Sequence, residues 1–415
     1  MVRVLHTADW HLGHTLAGYS REAEHRAALD ALVEIAAREA VDAVVVAGDV
    51  FDALNPSAEA QALFFDTLTR LHAARPHAAI VVVAGNHDPA GRLEAPRGLY
   101  AFANVTVVGT IERGRAGGPD LARHLVPVRD ETGATRAHVL AVPFPRVADL
   151  PPLDAPGEGS PVVAGVRALY ADLVGRAAEA IGPESPLVVT GHLHVAGGLE
   201  SDGAERRILV GGEHAVPPDV FPARAGYVAL GHLHRPQAVG RESVRYSGSL
   251  FPLSKTESGY EHGVTLVDLE SASAPVRLRH VPLPRPVPCL RLPARGAVAA
   301  GDVEGTLAAL GLDADLPVSR RPFVWLTVAV DGPAVGLHAE IGEIAERFPV
   351  RLAGLTLERP GSEAAPTAAP VGVRLAEREP IDVFREAFGA KHGVPPSRAH
   401  DNAFAALLTM DEAEG

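Results

Sequence analysis

Cysteine is nearly missing from this chain of 415 residues, aromatic side chains make up only 5% of it, and there are two tryptophans and two methionines. The single thiol, Cys289, cannot close an internal disulfide, which excludes a disulfide-stapled scaffold. Positive charge is also short. Lys and Arg number 38 against 51 Asp and Glu, a net charge of −13, so no global field draws the chain onto a polyanion; such binding would need metal ions, a local patch or a partner. Nowhere do about 18 apolar residues run together as a membrane span requires. The first residues, MVRVLH, lack the long apolar core of a secretion signal, so a cytoplasmic location without a membrane partner is expected. Length, at about 150 residues per domain, allows two or three domains. What the chain has in plenty is histidine: 19 of them beside one cysteine suggest imidazole and carboxylate chemistry.

The first half alternates short β-branched runs with longer helical patterns, the mark of an α/β fold. Strands are expected at 2–5, 43–46, 79–84, 139–142, 187–190, 208–210 and 227–230, and continuous Val and Ile runs suit strands buried on both faces. Helices are expected over 21–40, with Ser20 as its cap, over 57–73, and over 162–181. Proline at alternate positions in 282–288 marks a boundary. Beyond it, a helix near 303–310, a strand at 323–330, a helix at 337–348 and a strand at 351–357 make a compact second domain. The stretch 361–370 is rich in Ala and Pro and reads as a flexible linker. Two short amphipathic helices follow, one carrying Ile381, Phe384 and Phe388, the other starting at Ser397 with Phe404, Leu407 and Leu408.

Five polar clusters stand at the ends of these strands: Asp9-Trp10-His11, Gly48-Asp49-Val50-Phe51-Asp52, Gly85-Asn86-His87-Asp88, Gly191-His192-Leu193-His194 and Gly231-His232-Leu233-His234. Each alone is a weak signal; five in series are a strong one. Two divalent cations about 3.5–4 Å apart need a shared anionic ligand, and a carboxylate with two oxygens can bridge them. Asp49 is the natural bridge. Mixed imidazole and carboxylate suit Mn²⁺, Fe²⁺ or Zn²⁺, whereas Mg²⁺ and Ca²⁺ sites seldom use several histidines. The absence of cysteine ligands disfavours structural zinc. Asp9 and Asp49 offset two of the four positive charges, which leaves a surplus for a phosphate.

The order D-x-H, G-D-x-F-D, G-N-H-D and two G-H clusters resembles the signature of the calcineurin-like metallophosphoesterases. ADWHLG at 8–13, AGDVFD at 47–52, YVALGHLHR at 227–235 and YSGS at 246–249 lean further, toward the bacterial DNA-repair nucleases of that family. The resemblance is strong over roughly 1–280, follows the order of elements in the second domain, and reaches the tail only by helical pattern. It implies an α/β metallophosphoesterase β-sandwich flanked by helices at 1–280, a smaller α/β DNA-capping domain at 281–360, a linker at 361–376 and a helical tail at 377–415. It also implies that Asp9, His11, Asp49 and His234 hold one metal, Asp49, Asn86, His192 and His232 the other, and that His87 faces the substrate phosphate as proton donor or positive charge. Two divalent ions, Mn²⁺ foremost, are the implied cofactors. The implied activity is exonuclease and endonuclease cleavage at double-stranded DNA ends and hairpins. The implied partner is a long-armed ATPase gripped by the C-terminal helices, in a two-to-two assembly built on a homodimer.

Other readings remain beside these. His194 can exchange roles with His192. Asp88 is expected to orient a ligand histidine through the ring's second N–H, and Asp52 to do the same or to cap its turn. Asp52 stands where some relatives outside bacteria carry histidine, and Lys255-Thr256 replace an expected acidic continuation in a segment without catalytic duty. His14 reads as a solvated loop residue, His6 and His214 as structural or exposed, Trp10 as packing and Cys289 as an isolated thiol. Arg206-Arg207 and Arg320-Arg321 are candidate phosphate contacts. The same ligands would also serve a stand-alone phosphatase or cyclic-nucleotide phosphodiesterase, and a DNA-end scaffold with an inert site is a third possibility.

Overall fold

A computed structural model describes residues 1–114, 118–151, 160–201, 215–330 and 336–359, with Phe384, Arg385, Phe388, Ser397 and His400. The expected strand at 208–210, Arg206, Arg207, His214, the linker and most of the tail helices lie outside these residues.

Two six-stranded sheets form the body. The first has the order Arg277–Pro282, Gly263–Leu269, Val2–Thr7, Ala43–Ala47, Ala79–Val83, Val105–Val108. Its last four strands run parallel, and Gly263–Leu269 joins Val2–Thr7 antiparallel, with Val4 opposite Val267. The second has the order Gln237–Val239, Arg241–Tyr246, Tyr227–Gly231, Leu187–His192, Thr135–Leu140, Leu125–Arg129, with a parallel centre. Every residue of Ala43–Ala47, Ala79–Val83 and Tyr227–Gly231 is buried, because each strand has apolar material on both faces. Between the sheets lies a layer that includes Val4, Val45, Val81, Val139, Val188 and Ala229. The outer face of the first sheet packs on helices Glu22–Arg38 and Ala58–Ala74, and that of the second on helix Pro161–Ile181.

Local signals explain the helix ends. Ser57 caps the second helix by accepting from the Ala60 N–H at 3.2 Å. The first helix starts later than expected: Arg21 occupies the cap position, and Ser20 instead accepts from the Glu22 N–H at 3.2 Å. Among the strands that the sequence pattern hides, Arg277–Pro282 is an edge with alternating exposure, and Arg241–Tyr246 mixes charge with apolar residues. Neither makes a continuous apolar run.

Residues 289–358 build a third sheet in which Phe323–Ala329 pairs in parallel with Cys289–Leu292, Val298–Ala299 and Arg351–Glu358. It covers its own core of Val303, Leu307, Val324, Leu326, Val328, Ile341 and Ala345. All three sheets belong to one unit, Met1–Arg359. In the other, Pro360–Gly415, the Phe384 and Phe388 rings lie 5.7 Å apart and Ser397 Oγ is 2.9 Å from His400 Nδ1. No helix among the described residues is long and apolar enough to cross a membrane.

Candidate metal centre

The carboxyl ends of Val2–Thr7, Ala43–Ala47, Ala79–Val83, Leu187–His192 and Tyr227–Gly231 meet at one edge of the sandwich, and the turns beyond them are tied to one another. Asp9 N–H donates to Gly48 O and His11 N–H to Asp49 O, both at 3.0 Å. His232 N–H donates to Asp9 Oδ1 and His87 N–H to Asp49 Oδ1, both at 2.9 Å. These turns are strained: Asp9, His11, Asp49 and His232 have φ of 52°, 46°, 49° and 106°, the left-handed region that non-glycine residues avoid. Close approach decides the glycine at 85. A Cβ there would stand 2.1 Å from Asp49 Oδ1, so only hydrogen lets the Asn86 turn lie against the Asp49 carboxylate.

The side chains converge. Single ligand atoms of Asp9, His11 and His234 all lie within 4.8 Å of one another, as do those of Asp9, Asp49 and His192, and those of His11, Asp52 and His87. Asn86 Oδ1 is 3.0 Å from His192 Nε2 and 3.2 Å from His232 Nδ1, and His192 Nε2 is 3.3 Å from Asp49 Oδ2. The imidazoles are aimed by their second nitrogens. His192 Nδ1 meets Ala47 O at 2.8 Å, His11 Nδ1 meets Asp52 Oδ1 at 3.2 Å, and His234 Nδ1 meets Glu257 Oε1 at 2.9 Å. Fixing one ring nitrogen on an acceptor turns the other inward. The His87 ring is anchored through Nδ1 at 2.9 Å from the Asp52 carbonyl, and it lies 4.9 Å from the His11 ring.

Two buried atoms here have no hydrogen-bond partner: Asp9 Oδ2 and His11 Nε2. Leaving a buried carboxylate oxygen unsatisfied costs free energy that a cation would recover. The donor set therefore fits divalent metal ions. Electrostatics agree. Burial pushes Asp9 up to about 6 against the pull of the surrounding imidazoles. At Asp49, burial is outweighed by the charge of and hydrogen bond from His192, with help from His11 and His87, and the group is held well below the usual carboxylate range. His192, opposed by burial, is raised to about 9 by Asp49 and Asp9. Without metal, a proton on His192 serves as the local counter-charge.

Three expectations change. Asp88 touches no imidazole: its carboxylate accepts the Gly85, Phe51 and Val50 N–H groups at 2.8, 2.8 and 3.2 Å and so pins two of the turns together. His194 lies at the rim, 3.4 Å from Glu200 and with its ring 6.2 Å from that of His232, and belongs to none of the ligand clusters among the described residues. His14 is half-buried, not solvated, and burial lowers it to about 4. Trp10 is fully buried and donates to Thr7 Oγ1, which is packing. His6 bridges Tyr227 and the Leu230 carbonyl inside the sandwich. Glu257 was missed. It lies beside Lys255-Thr256 with no histidine near it in sequence, and only the fold puts it 2.9 Å from His234. A cavity of about 470 Å³ beside the centre is lined by Asn86, Asp88, Arg92, Phe144 and Arg146 among others.

A buried two-carboxylate, multi-imidazole centre at the strand ends of a double sheet defines a metallophosphoesterase, and residues 2–236 match the family model described as calcineurin-like phosphoesterase. SbcD, the nuclease component of SbcCD, from Rhodobacter capsulatus is 53% identical over 390 residues, covering 93% of this chain and 94% of that one. Its namesake in Escherichia coli K12 is 36% identical over 360 residues, 85% and 84% of the two chains, and that of Bacillus subtilis 168 is 38% identical over 277 residues, 64% and 66%. The chain belongs to the calcineurin-like phosphoesterases and, within them, to the SbcD family. It is an enzyme, a dinuclear-metal-dependent phosphodiesterase.

Proposed function

We propose that this chain is a Mn²⁺-dependent DNA exonuclease and endonuclease that hydrolyses phosphodiester bonds at DNA ends and hairpins together with the ATPase SbcC. The observation that carries the reading is the gathering of Asp9, His11, Asp49, Asn86, His192, His232 and His234 from five strand ends around partnerless Asp9 Oδ2 and His11 Nε2. Asp9, His11, Asp49 and His234 hold one cation, and Asp49, Asn86, His192 and His232 the other. Bound there, the two cations neutralise phosphate charge and ease deprotonation of an attacking water. The protein does the positioning: Asp52 holds the His11 ring, Glu257 the His234 ring, and the Ala47 carbonyl the His192 ring. His87, fixed through the Asp52 carbonyl, donates a proton to the departing 3′ oxygen or meets its charge.

Residues 1–280 form the nuclease part, 281–360 the cap that places duplex DNA, 361–376 a linker and 377–415 the helices that dock on SbcC. The relatives' name supports an SbcC partner. A homodimer within a two-to-two complex and a cytoplasmic, nucleoid-associated location complete the proposal. With net charge −13, much of the DNA backbone contact falls to the cations and to SbcC.

The test is cleavage of duplex, hairpin and mononucleotide substrates by purified protein in Mn²⁺ or Mg²⁺, with and without SbcC. Hairpin and duplex-end cleavage in Mn²⁺ supports the reading; robust action on mononucleotides alone makes the chain a stand-alone phosphatase. His87→Ala is expected to keep metal binding and lower cleavage by about 10²–10⁴-fold. Unchanged cleavage by that variant refutes the role of His87.

A further inference from the structure

The segment 250–260 runs from the floor of the metal centre to the edge of the small third sheet, and its backbone is gripped from outside. Arg291, on strand Cys289–Leu292 of that sheet, donates to the Lys255 carbonyl at 2.9 Å. Arg285, in the Pro-rich connection into the sheet, donates to the Ser258 and Tyr260 carbonyls, both at 2.7 Å. Arg21, at the start of the first helix, donates to the Pro252 carbonyl at 2.9 Å and lays its guanidinium 4.8 Å from the ring centre of Phe323 in the sheet's central strand. Between these grips sits Glu257, fully buried, with Oε1 on His234 and Oε2 accepting the Leu253 N–H at 2.8 Å.

Holding His234 in orientation needs only Glu257. The clamps on Lys255, Ser258 and Tyr260 contribute nothing to that hydrogen bond directly, yet they come from the small sheet and the connection leading into it. Lys255 is two residues from Glu257 and Ser258 is the next residue, so a shift of the small sheet cannot be absorbed by slack chain before it reaches the carboxylate.

We propose that this strap couples the seating of the 289–358 sheet to the cation affinity of the pocket formed by Asp9, His11 and His234, with Arg285 and Arg291 as positioning residues that act through Glu257. The proposal rests on the assignment of His234 as a metal ligand made above. When the small sheet moves, the strap carries Glu257 with it, the His234 ring tilts, and that pocket weakens. The pocket of Asn86, His192 and His232 hangs on other strand ends and keeps its affinity. By reciprocity, a cation in the first pocket stiffens the strap and the seat of the small sheet.

The experiment titrates the full-length, metal-free chain with Mn²⁺ alone, read by calorimetry and by the electron paramagnetic resonance of free Mn²⁺. Arg285 and Arg291 are both exposed, so their removal spares the core. Arg285→Ala with Arg291→Ala is expected to weaken one of two sites by about 2- to 30-fold and leave the other unchanged. Glu257→Gln is expected to weaken the same site by about 10–100-fold, and Arg285→Lys with Arg291→Lys to restore most of the affinity. Amide exchange across 255–260 is expected to slow on Mn²⁺ addition in the wild type and to lose that response in the double Ala variant. If Glu257→Gln weakens one site while the double Ala variant keeps both at wild-type affinity, Glu257 is a local prop and the coupling is overturned. A wild-type chain that binds no pair of cations instead brings down the metal-centre assignment, and the coupling with it.

Discussion

Two clusters of buried charge lie on either side of the strap, and they are built on opposite plans. At the junction of the first helix with the third sheet, the Glu24 carboxylate takes two hydrogen bonds from Arg21, at 2.6 and 2.7 Å, and lies 3.8 Å from Arg351. Both guanidiniums are covered by the ring of Phe323, Arg351 at only 3.7 Å from its centre. That cluster is neutralised by its own chain and by aromatic faces. At the metal centre the backbone is strained into positive φ, and the unpartnered atoms of Asp9 and His11 belong to groups that take a cation. Burial of charge does not by itself mark a site; convergence of ligand atoms that the chain leaves unsatisfied does.

Four measurements would break or sharpen the contrast. Replacing the shared carboxylate, Asp49→Ala, is expected to drop hydrolysis of a small phosphodiester below about one-thousandth of wild type; a tenfold loss or less would mean that Asp49 does not bridge two cations. At the junction, Glu24→Ala leaves two guanidiniums without their carboxylate and is expected to cost about 3–5 kcal/mol of stability, read from the urea midpoint. If the midpoint does not move, the junction is not a structural ion cluster. Asp52→Asn removes the charge that orients His11 and is expected to weaken Mn²⁺ binding by about 10–100-fold with the fold intact. The smallest effect is on pH. Burial lowers His6 and His25 to about 3 and His262 to about 4. All three stay neutral in the folded chain while the unfolded chain protonates below about 6.5. Their contribution is therefore fully present above pH 6.5 and is lost as pH falls toward 4 and then 3, at up to about 1.4 kcal/mol per pH unit for each. Urea midpoints at pH 7.5, 6 and 5 check this; a flat profile would show that these histidines take up protons in the folded state.

Much of the fold and of the centre is legible in the order of residues. Valine runs at 43–46 and 79–84 announce doubly buried strands, and the five polar clusters stand where those strands end. What escaped was local sequence without a clear period: Arg277–Pro282, at a sheet edge, carries alternating charge, and Arg241–Tyr246 reads as a solvated segment. Asp88 was misjudged for a related reason. A carboxylate beside a histidine suggests a partner for the ring, yet the turns left backbone N–H groups unsatisfied, and those claim it first. Glu257 lay in plain view as one acid among many.

The amino-acid order alone settled which chemistry was available: imidazoles, carboxylates and an amide placed just after strands, with residue types that suit divalent cations. Tertiary structure alone decided which nitrogen of each ring faces inward, because that depends on an acceptor far along the chain, the Ala47 carbonyl 145 residues from His192 or Glu257 23 residues from His234. A hydrogen bond acts over about 3 Å of space, and how far apart its partners lie in sequence is set only by the fold.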